Sequence, residues 1–494
     1  MELILKQHDY RYAVEQIMLM LFPEERPAYP EGKPSGEPWA EVRLSRGETW
    51  VTAVTRLAIG GARYTGTARV PVRELTDEIT STRLSQRAVK LSFYRAAVDY
   101  FGKKPLWGAL SGIRPAKLMR GLLAEGKTER QALRTFRERY DVSPGKAALC
   151  LDAARAAAAA EAGLERTDVC LYVGIPFCPS RCAYCSFVSQ SVEKSFALME
   201  PFLDALEQDI AATAAAVRET GLRVRAIYFG GGTPTTLSPA QLDRLCTSVE
   251  RAFDLGACGE FTVEAGRPDT VTAEKLAVLR AHGVTRVSVN PQTMSDRVLR
   301  AIGRKHTASD VEKAMELVRA AGDFQVNMDL IAGLPEDTPE GFRDSVERVL
   351  ALGPENVTVH TLALKKGSRI TLEGTGLPTA EEVTQMVDGS ALALGERGYK
   401  PYYLYRQKFM AGGLENVGWC LPGTENLYNI VIMEELRGVI AMGAGASTKL
   451  SAGGERLERV FAPKYPREYI DGIQKVCGEK KRIKEFYDHE LFTD

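Results

Sequence analysis

The spacing of hydrophobic residues separates a first part of mixed pattern from a second part in which short strands and helices alternate. Near the start, alternation typical of a strand at Met1–Lys6 precedes a helical pattern at Tyr10–Phe22. Three further segments predict strands of a small antiparallel sheet: residues 40–43, 49–57 and 64–72. Helical patterns complete this part. We therefore predict an α+β domain over residues 1–165, to which the sequence assigns no role.

From residue 166 to residue 363 the strand and helix patterns alternate at regular spacing. The predicted strands are Val169–Ile175, Ala226–Phe229, Glu260–Glu264, Thr285–Val289, Gln325–Leu330 and Val357–Leu362. The predicted helices are Phe196–Arg218, Pro239–Phe253, Ala273–His282, Ser309–Ala321 and Pro339–Leu350. Such alternation predicts an α/β fold with a parallel sheet, closed or nearly closed, that is, a partial (β/α)6 barrel similar to a TIM barrel. Functional side chains should then follow the carboxyl ends of the strands.

The alternation stops after residue 363, and we predict a small C-terminal domain over residues 364–494 that closes the mouth of the barrel. It contains an aromatic segment, Tyr399–Tyr405, and a glycine-rich segment, Gly443–Ser447. Cationic residues that are candidates for binding carboxylates surround the aromatic segment: Lys365, Lys366, Arg369, Arg406 and Lys408. A solvated charged surface is the alternative interpretation of these residues.

Composition narrows the class of protein without identifying it. The 494 residues are 45% hydrophobic and 26% charged, as in ordinary globular proteins. Because 64 basic residues balance 64 acidic ones, we expect no nucleic-acid partner bound by bulk charge. We also expect a cytoplasmic protein without a membrane partner, since no long apolar run or secretion signal is evident. The odd number of cysteines, nine, argues against a disulfide framework.

Three cysteines lie close together directly after the first predicted barrel strand, at Cys178, Cys182 and Cys185. Thiolates suit zinc and iron–sulfur clusters. A structural zinc needs four protein ligands, and the nearest fourth candidate, Cys170, lies inside the preceding strand. A four-iron cluster held by three cysteines leaves one iron open for another ligand. The spacing therefore favours a cluster over zinc, and reduced structural cysteines are a third interpretation.

Glycine and polar residues follow the next strands. The second strand ends in Gly230, Gly231, Gly232 and Thr233, where the small residues let a ligand approach the backbone closely. A phosphate-binding loop is the alternative, but neither Gly-x-Gly-x-x-Gly nor a Lys-Ser/Thr ending is present. Polar residues at or after strands three to five complete the candidate site: Glu264, Gln292, Arg304 and Asp329. We expect these groups to converge on one pocket.

Cys-x3-Cys-x2-Cys after the first strand of a βα barrel resembles the radical S-adenosylmethionine (SAM) enzymes. With Gly-Gly-Gly-Thr-Pro-Thr, the Gln292 segment, Gly303–His306 and Asp329–Pro335, the sequence is similar to the oxygen-independent coproporphyrinogen III dehydrogenase (oxidase) group. The similarity extends over about Val169 to Ser447. Gly112–Pro115, in the N-terminal extension, resembles the HemZ branch of that group.

The resemblance implies a 4Fe–4S cluster on Cys178, Cys182 and Cys185, with SAM as the second cofactor. Further residues implied by the resemblance are Tyr172 beside the cluster, Gly230 to Thr233 at the methionine amino group, and Glu264, Gln292, Arg304 and Asp329 in contact with SAM. It also implies one-electron cleavage of SAM to a 5′-deoxyadenosyl radical, which takes a hydrogen atom from the substrate. A reduced flavodoxin or ferredoxin-type protein would supply the electron.

Three positions depart from the patterns of related groups. Phe187 stands where the best-known dehydrogenases have a fourth cysteine, which does not bind the cluster. Gly174 replaces their histidine in Tyr-x-His-Ile-Pro. Glu425 begins the segment comparable to the His-Asn-x-x-Tyr-Trp motif of the related haem chaperones, so this segment lacks their histidine.

The leading hypothesis is therefore an enzyme, a radical SAM oxidoreductase of porphyrin (haem) biosynthesis. It would convert coproporphyrinogen III to protoporphyrinogen IX by oxidative decarboxylation of propionates to vinyl groups, with a tetrapyrrole as substrate. One alternative is another radical SAM reaction, such as methyl transfer or anaerobic opening of haem. The other is a haem-binding or chaperone protein that keeps its cluster; His306 and His360 are the histidines in the predicted barrel loops.

Overall fold

A computed structural model of the protein describes residues 1–185, 190–363, 376–407, 410–454 and 456–492. In it the chain forms two compact units, which are described separately below. The division into three domains predicted from the sequence stays a prediction.

The first unit comprises Met1–Leu151 and Arg406–Glu415. Its strands are β1 (Glu2–Lys6), β2 (Trp39–Arg46), β3 (Trp50–Ile59) and β4 (Ala62–Pro71). Its helices are α1 (Arg11–Leu21), α2 (Glu78–Phe101), α3 (Pro115–Ala124) and α4 (Glu129–Tyr140), and α5 (Pro144–Ala162) begins in it. The strands β2, β3 and β4 form the antiparallel sheet predicted from the sequence, and β1 adds to β2 in parallel.

Helix α2 lies unusually close to this sheet. A Cβ atom at Gly66 in β4 would be 2.0 Å from the carbonyl oxygen of Ser92, so only glycine allows the helix to pack here. The Ser92 hydroxyl is buried and is hydrogen bonded to Thr55 of β3 at 2.8 Å. Helix α1 packs beside α2, and the apolar side chains of both helices share one core with the inner face of the sheet.

A buried ion pair connects distant parts of the first unit. The Lys146 ammonium lies 2.6 Å from a carboxylate oxygen of Glu415, and the indole N–H of Trp107 donates to the other oxygen at 2.6 Å. The side chains of Lys146 and Glu415 are only 8% and 1% exposed. A buried charge is costly unless a group of opposite charge lies beside it. Removing either Lys146 or Glu415 should therefore destabilise the folded unit.

The second unit comprises the rest of the chain and contains thirteen strands in its described part. They are β5 (Asp168–Ile175), β6 (Phe177–Cys178), β7 (Gln190–Ser191), β8 (Arg223–Gly231), β9 (Glu260–Glu264), β10 (Arg286–Ser288), β11 (Gln325–Ala332), β12 (Asn356–Thr361), β13 (Lys400–Tyr405), β14 (Asn416–Cys420), β15 (Gly438–Gly443), β16 (Ser447–Leu450) and β17 (Glu458–Phe461). Its helices after α5 are α6 (Val192–Ser195), α7 (Met199–Glu219), α8 (Pro239–Ala252), α9 (Ala273–Ala281), α10 (Asp296–Ala301), α11 (Ala308–Ala321), α12 (Pro339–Ala351), α13 (Ala380–Glu396), α14 (Leu427–Glu434), α15 (Pro466–Asp471), α16 (Ile473–Gly478) and α17 (Lys481–Phe492).

Eleven of these strands form one sheet in the order β13-β14-β12-β11-β10-β9-β8-β5-β15-β16-β17. The six predicted strands are its parallel centre, in chain order from β5 to β12, which confirms the α/β barrel prediction. The sheet does not close: β15 adds to β5 in parallel, and antiparallel strands extend both sides. The barrel is therefore partial, as predicted.

Local signals in the sequence explain where the helices of this unit begin. Ser238 forms a reciprocal capping box with Gln241 at the start of α8, and the Thr338 side chain accepts from the Gly341 amide at the start of α12. Proline occupies the first turn of both helices, where its missing N–H costs nothing. In the part of the chain that the structure describes, no helix combines the length and apolar character needed to span a membrane.

The buried ion pair predicts a large effect of one substitution. Lys146→Met removes the ammonium group that lies 2.6 Å from the buried Glu415 carboxylate, so we expect the free energy of unfolding to fall by about 3–5 kcal/mol. Chemical denaturation followed by tryptophan fluorescence measures the change. The double variant Lys146→Met/Glu415→Gln should recover much of the loss, and the exposed control Lys103→Met should change stability by less than about 0.5 kcal/mol. Equal losses in Lys146→Met and the control would contradict this account.

Candidate functional site

Two neighbouring strands end together and bring the cysteine segment to the glycine segment. The amide of Gly232 donates to the carbonyl of Ile175 at 2.7 Å, and the amide of Thr233 donates to the carbonyl of Phe177 at 2.8 Å. The Thr233 hydroxyl is also hydrogen bonded to the Cys178 sulfur, at 3.6 Å. The glycine segment therefore holds the start of the cysteine segment by its backbone.

Glycine is required here because the two backbones nearly touch. A Cβ atom at Gly232 would lie 2.4 Å from the carbonyl oxygen of Phe177, and Gly231 has a φ of +104°, which side chains rarely adopt. We expected these glycines to bring amides close to a ligand; the amide of Gly232 is used within the chain instead. Contact of Gly230 to Thr233 with a methionine amino group stays a prediction.

Arg304 supports the second half of the cysteine segment. One of its terminal nitrogens donates to the carbonyls of Gly266 and Asn290 at 3.1 and 2.7 Å, and the other donates to the hydroxyl of Tyr184 at 3.0 Å. Tyr184 lies between Cys182 and Cys185, and the Cys182 thiol interacts with the same guanidinium. The guanidinium is buried, and its Nε has no partner among the described residues. All three cysteine side chains are partly exposed.

The loop after β9 contributes an arginine that the sequence interpretation missed. Arg267 is 2% exposed and donates to the hydroxyl of Ser180 at 2.9 Å and to its carbonyl at 3.5 Å. It also pairs with Asp269 through two nitrogens, at 3.1 and 3.2 Å. Its position three residues after Glu264, at a strand's carboxyl end, was the available signal.

Glu264, at the end of β9, lies beside a stack of three tyrosine rings. The Tyr228 hydroxyl donates to its carboxylate at 2.6 Å. The Tyr228 ring is 4.3 Å from that of Tyr428 and 6.3 Å from that of Tyr172. Burial raises the pKa of Glu264 to about 7, and the nearby Asp329 contributes to the rise, whereas the Tyr228 hydrogen bond opposes it. Tyr428, from α14, is a further member of this site that the sequence interpretation missed.

Gln292 and Asp329 lie on neighbouring segments joined by backbone pairing. The Gln292 amide donates to the Asp329 carbonyl at 2.9 Å, which helps to hold Gln292 in the left-handed conformation, with a φ of +70°. Asn327 donates to the Asp329 carboxylate at 2.8 Å, and His360 lies 3.7 Å from it. Burial alone would raise the pKa of Asp329, but these two neighbours keep it below its ordinary value.

The residues predicted to bind the cluster and SAM thus lie along the carboxyl edge of the parallel strands. Of the cationic candidates, the described part of the chain includes only Arg406. Lys365, Lys366, Arg369 and Lys408 lie outside the described residues, as does Phe187. Arg406 belongs to the first unit, where its buried guanidinium donates to the backbone carbonyls of Leu110 and Gly413 and lies 5.0 Å from the Trp107 ring. Arg406 is therefore a structural residue rather than an available carboxylate ligand.

The donor set fits an iron–sulfur cluster by its chemistry. Cys178, Cys182 and Cys185 supply three soft thiolate ligands from one short segment, and a buried arginine borders that segment. As the side chains stand in the described residues, no three Cys, His, Asp or Glu groups are grouped closely enough to hold a single metal ion. The fit therefore rests on the identity and spacing of the thiols and on how their segment is anchored.

Comparison with known proteins agrees with this site. Residues 172–349 match the family model of the radical SAM superfamily. The chain is 40% identical over 380 residues to the oxygen-independent coproporphyrinogen-III oxidase-like protein HemZ of Bacillus subtilis, covering 76% of both chains. It is 33% identical over 310 residues to the haem chaperone HemW of the same organism, covering 61% of this chain and 75% of HemW.

A solved structure shows the same architecture. The coproporphyrinogen III oxidase HemN of Escherichia coli, described as a radical SAM enzyme, superposes with a TM-score of 0.52. The two sequences are 26% identical, and the match covers 65% of this chain and 72% of HemN. The chain is therefore similar both to coproporphyrinogen oxidase-like proteins and to a haem chaperone.

The close approach at Gly232 predicts a specific defect. In Gly232→Ala the new methyl group meets the Phe177 carbonyl, so we expect a loss of about 1–3 kcal/mol in the free energy of unfolding. Because the same contact holds the cysteine segment, iron bound after anaerobic reconstitution should also fall. Gly259→Ala is the matched control, since a Cβ atom there meets nothing within 4 Å. Normal stability and iron content in Gly232→Ala would show that the cysteine segment does not depend on the close contact between Gly232 and Phe177.

Proposed function

Because the chain belongs to the radical SAM superfamily and, within it, to the HemN and HemZ family of coproporphyrinogen oxidase-like proteins, we propose that it decarboxylates coproporphyrinogen III without oxygen. The observation that carries the proposal is the joint placement of the cysteine segment, the glycine segment and Glu264 at one sheet edge. The carboxyl edge of a parallel sheet is where such folds bind ligands and react.

The residues divide into cluster-binding and SAM-binding groups. Cys178, Cys182 and Cys185 would hold a 4Fe–4S cluster. SAM would contact a larger set, as the family resemblance implies: Gly230, Gly231, Gly232, Thr233, Glu264, Gln292, Arg304 and Asp329. When bound, the cluster and SAM together supply a 5′-deoxyadenosyl radical after transfer of one electron, for which a reduced flavodoxin or ferredoxin-type protein is the proposed donor. The Tyr172 ring lies about equally far from the rings of Tyr228 and Tyr428, at 6.3 and 6.2 Å, and would pack beside the cluster, as the family resemblance implies.

The substrate chemistry requires removal of one hydrogen atom and one electron for each propionate. Loss of the hydrogen atom from the β-carbon, cleavage of the carbon–carboxylate bond and departure of one electron give a vinyl group and carbon dioxide. The electron goes to a one-electron acceptor. Two such steps on coproporphyrinogen III give protoporphyrinogen IX. His360, partly exposed beside Asp329, is a candidate to contact a substrate carboxylate at this edge.

Gly174 limits which residue can assist this reaction. A Cβ atom at Gly174 would lie 3.2 Å from the Tyr172 ring and 3.5 Å from the carbonyl oxygen of Ala444. The space next to this position is therefore partly filled by the ring of Tyr172. A hydrogen-bond donor for the substrate must come from a different position than the histidine of the best-known dehydrogenases.

A haem-binding role is the second candidate, because the chain is similar to HemW. The chain has five histidines: His8, His282, His306, His360 and His489. His306 is buried, and His282 is bonded to Asp243 and Glu250. Glu425 stands where the chaperone motif has histidine. We therefore favour the enzyme, and haem binding is an outcome that its assay tests.

The raised pKa of Glu264 predicts a pH dependence of SAM binding. The carboxylate accepts hydrogen bonds and is progressively lost as the pH falls through about 7, so affinity should decline below that pH. Tyr228→Phe removes a hydrogen bond that lowers this pKa, so the decline should begin at higher pH. Isothermal titration of reconstituted protein with SAM between about pH 5.5 and 8.5 measures the shift.

Tyr428→Phe is the matched control for this prediction, because it keeps the ring stack and the bond between Tyr228 and Glu264. It should follow the wild-type profile. The same inflection in wild type and Tyr228→Phe would show that Glu264 does not govern SAM affinity.

An anaerobic turnover assay tests the reaction directly. Reconstituted protein, reductant, SAM and coproporphyrinogen III should yield 5′-deoxyadenosine and vinyl products, both detected by mass. Cys182→Ala should lose at least about 10³-fold in both, because the cluster would lack a ligand. Deoxyadenosine without vinyl product would keep the radical enzyme and reject this substrate. A haem Soret band on mixing, with no deoxyadenosine, would favour the chaperone role instead.

A further inference from the structure

Two buried arginines each contact one of the two intervals between the cysteines. Arg267 donates to Ser180, which lies between Cys178 and Cys182. Arg304 donates to Tyr184, between Cys182 and Cys185. Arg267 lies in the loop after β9, whereas Arg304 lies between α10 and α11, which follow β10. The family resemblance singled out Arg304 alone, so the contact of Arg267 with the first interval has no assigned role.

The surroundings of Arg267 make it a fixed positive charge. The Arg267 side chain is 3% exposed, and that of its partner Asp269 is 34% exposed. Water therefore screens the negative charge of Asp269 more than the positive charge of Arg267. His306 is buried nearby, and neither ring nitrogen has a partner among the described residues. Burial first, then Arg304 and Arg267, lowers the pKa of His306 to about 4, which keeps this ring neutral near pH 7.

The loop that carries Arg267 is itself firmly attached. The Arg267 carbonyl accepts from the amide and the hydroxyl of Thr270 at 2.9 and 2.7 Å. The Thr270 hydroxyl is bonded to that of Thr235 at 2.6 Å, and Lys275 donates to the carbonyls of both threonines. The loops after β8 and β9 are therefore bonded to each other, and these bonds fix the backbone that carries the Arg267 side chain.

We propose that Arg267 is a positioning residue for the proposed cluster: it holds Ser180 and supplies a buried positive charge that favours the reduced state of the cluster. The inference rests on the proposed function only in requiring a cluster on Cys178, Cys182 and Cys185. It does not depend on the substrate.

The physical reason is electrostatic. Reduction adds one negative charge to the cluster, and a nearby buried cation stabilises that charge, since screening by water is weak there. The reduction potential is therefore less negative with Arg267 present. Asp269 opposes the effect, because its carboxylate partly neutralises the guanidinium. Substitutions of the two partners should shift the potential in opposite directions.

The test is a redox titration of the reconstituted full-length protein, followed by the electron paramagnetic resonance signal of the reduced cluster, without substrate. Arg267→Gln should shift the midpoint to more negative potential, so that at the wild-type midpoint the reduced fraction falls by about twofold or more. Asp269→Asn should shift it the other way. Arg267→Lys keeps the charge and should restore most of the potential while losing part of the geometry.

Controls separate the charge from simple support of the loop. Ser180→Ala removes the hydroxyl contact but keeps the cation, so its midpoint should stay near that of wild type. Arg181→Gln removes an exposed charge from the same segment and should shift the midpoint less than Arg267→Gln does, since solvent screens it. If Arg267→Gln retains no cluster, the opposite shift in Asp269→Asn and the result for Arg267→Lys decide the question.

Midpoints unchanged in both Arg267→Gln and Asp269→Asn would overturn the proposal, as would failure of Arg267→Lys to restore the potential. Loss of iron in Arg267→Gln together with an unchanged midpoint in Asp269→Asn would also overturn it, leaving Arg267 a purely structural residue. The predicted opposite midpoint shifts in Arg267→Gln and Asp269→Asn, combined with no porphyrinogen turnover in the wild type, would reject the proposed substrate and leave this inference standing.

Discussion

The site depends on the way in which β8 meets the chain leaving β5. Two amides, from Gly232 and Thr233, donate to carbonyls of Ile175 and Phe177, and no side chain fits between the two backbones. Parallel pairing of β5 with β8 places these ends at one level. The cysteines follow within a few residues. Main-chain hydrogen bonds therefore fix the position from which the cysteine segment begins.

The charged side chains at this edge of the sheet form two groups, carboxylates and arginines. Carboxylates at the ends of β9 and β11 lie in one buried region, and their mutual repulsion contributes to the raised pKa of Glu264. Arginines lie on the side of the cysteine segment, where each is bonded to backbone carbonyls or to a carboxylate. A cluster that accepts electrons and a cofactor that carries a cationic sulfonium make opposite electrostatic demands. In the proposed function, the arginines beside the cysteine segment would meet the first demand, and Glu264 and Asp329 would meet the second.

Similarity to these relatives does not identify the reaction. HemZ, HemN and HemW have different names and roles, yet the chain is similar to all three. The shared fold therefore does not by itself select the reaction. Two features of this chain lie next to the site: Gly174, whose neighbouring space is partly filled by the Tyr172 ring, and Tyr428 of α14.

The sequence alone determined the alternating βα pattern, the six parallel strands within a few residues, the helix caps and the cysteine triad, because these are local signals of periodicity, capping and spacing. It also indicated which strand ends carry polar residues. Only the tertiary structure decided that β15 adds beside β5, that Arg406 is buried in the first unit and that Arg267 reaches Ser180. Those outcomes depend on contacts between residues far apart in the chain, which no local pattern encodes. A long cationic side chain has the same appearance in a sequence whether it binds a ligand, a backbone carbonyl or water.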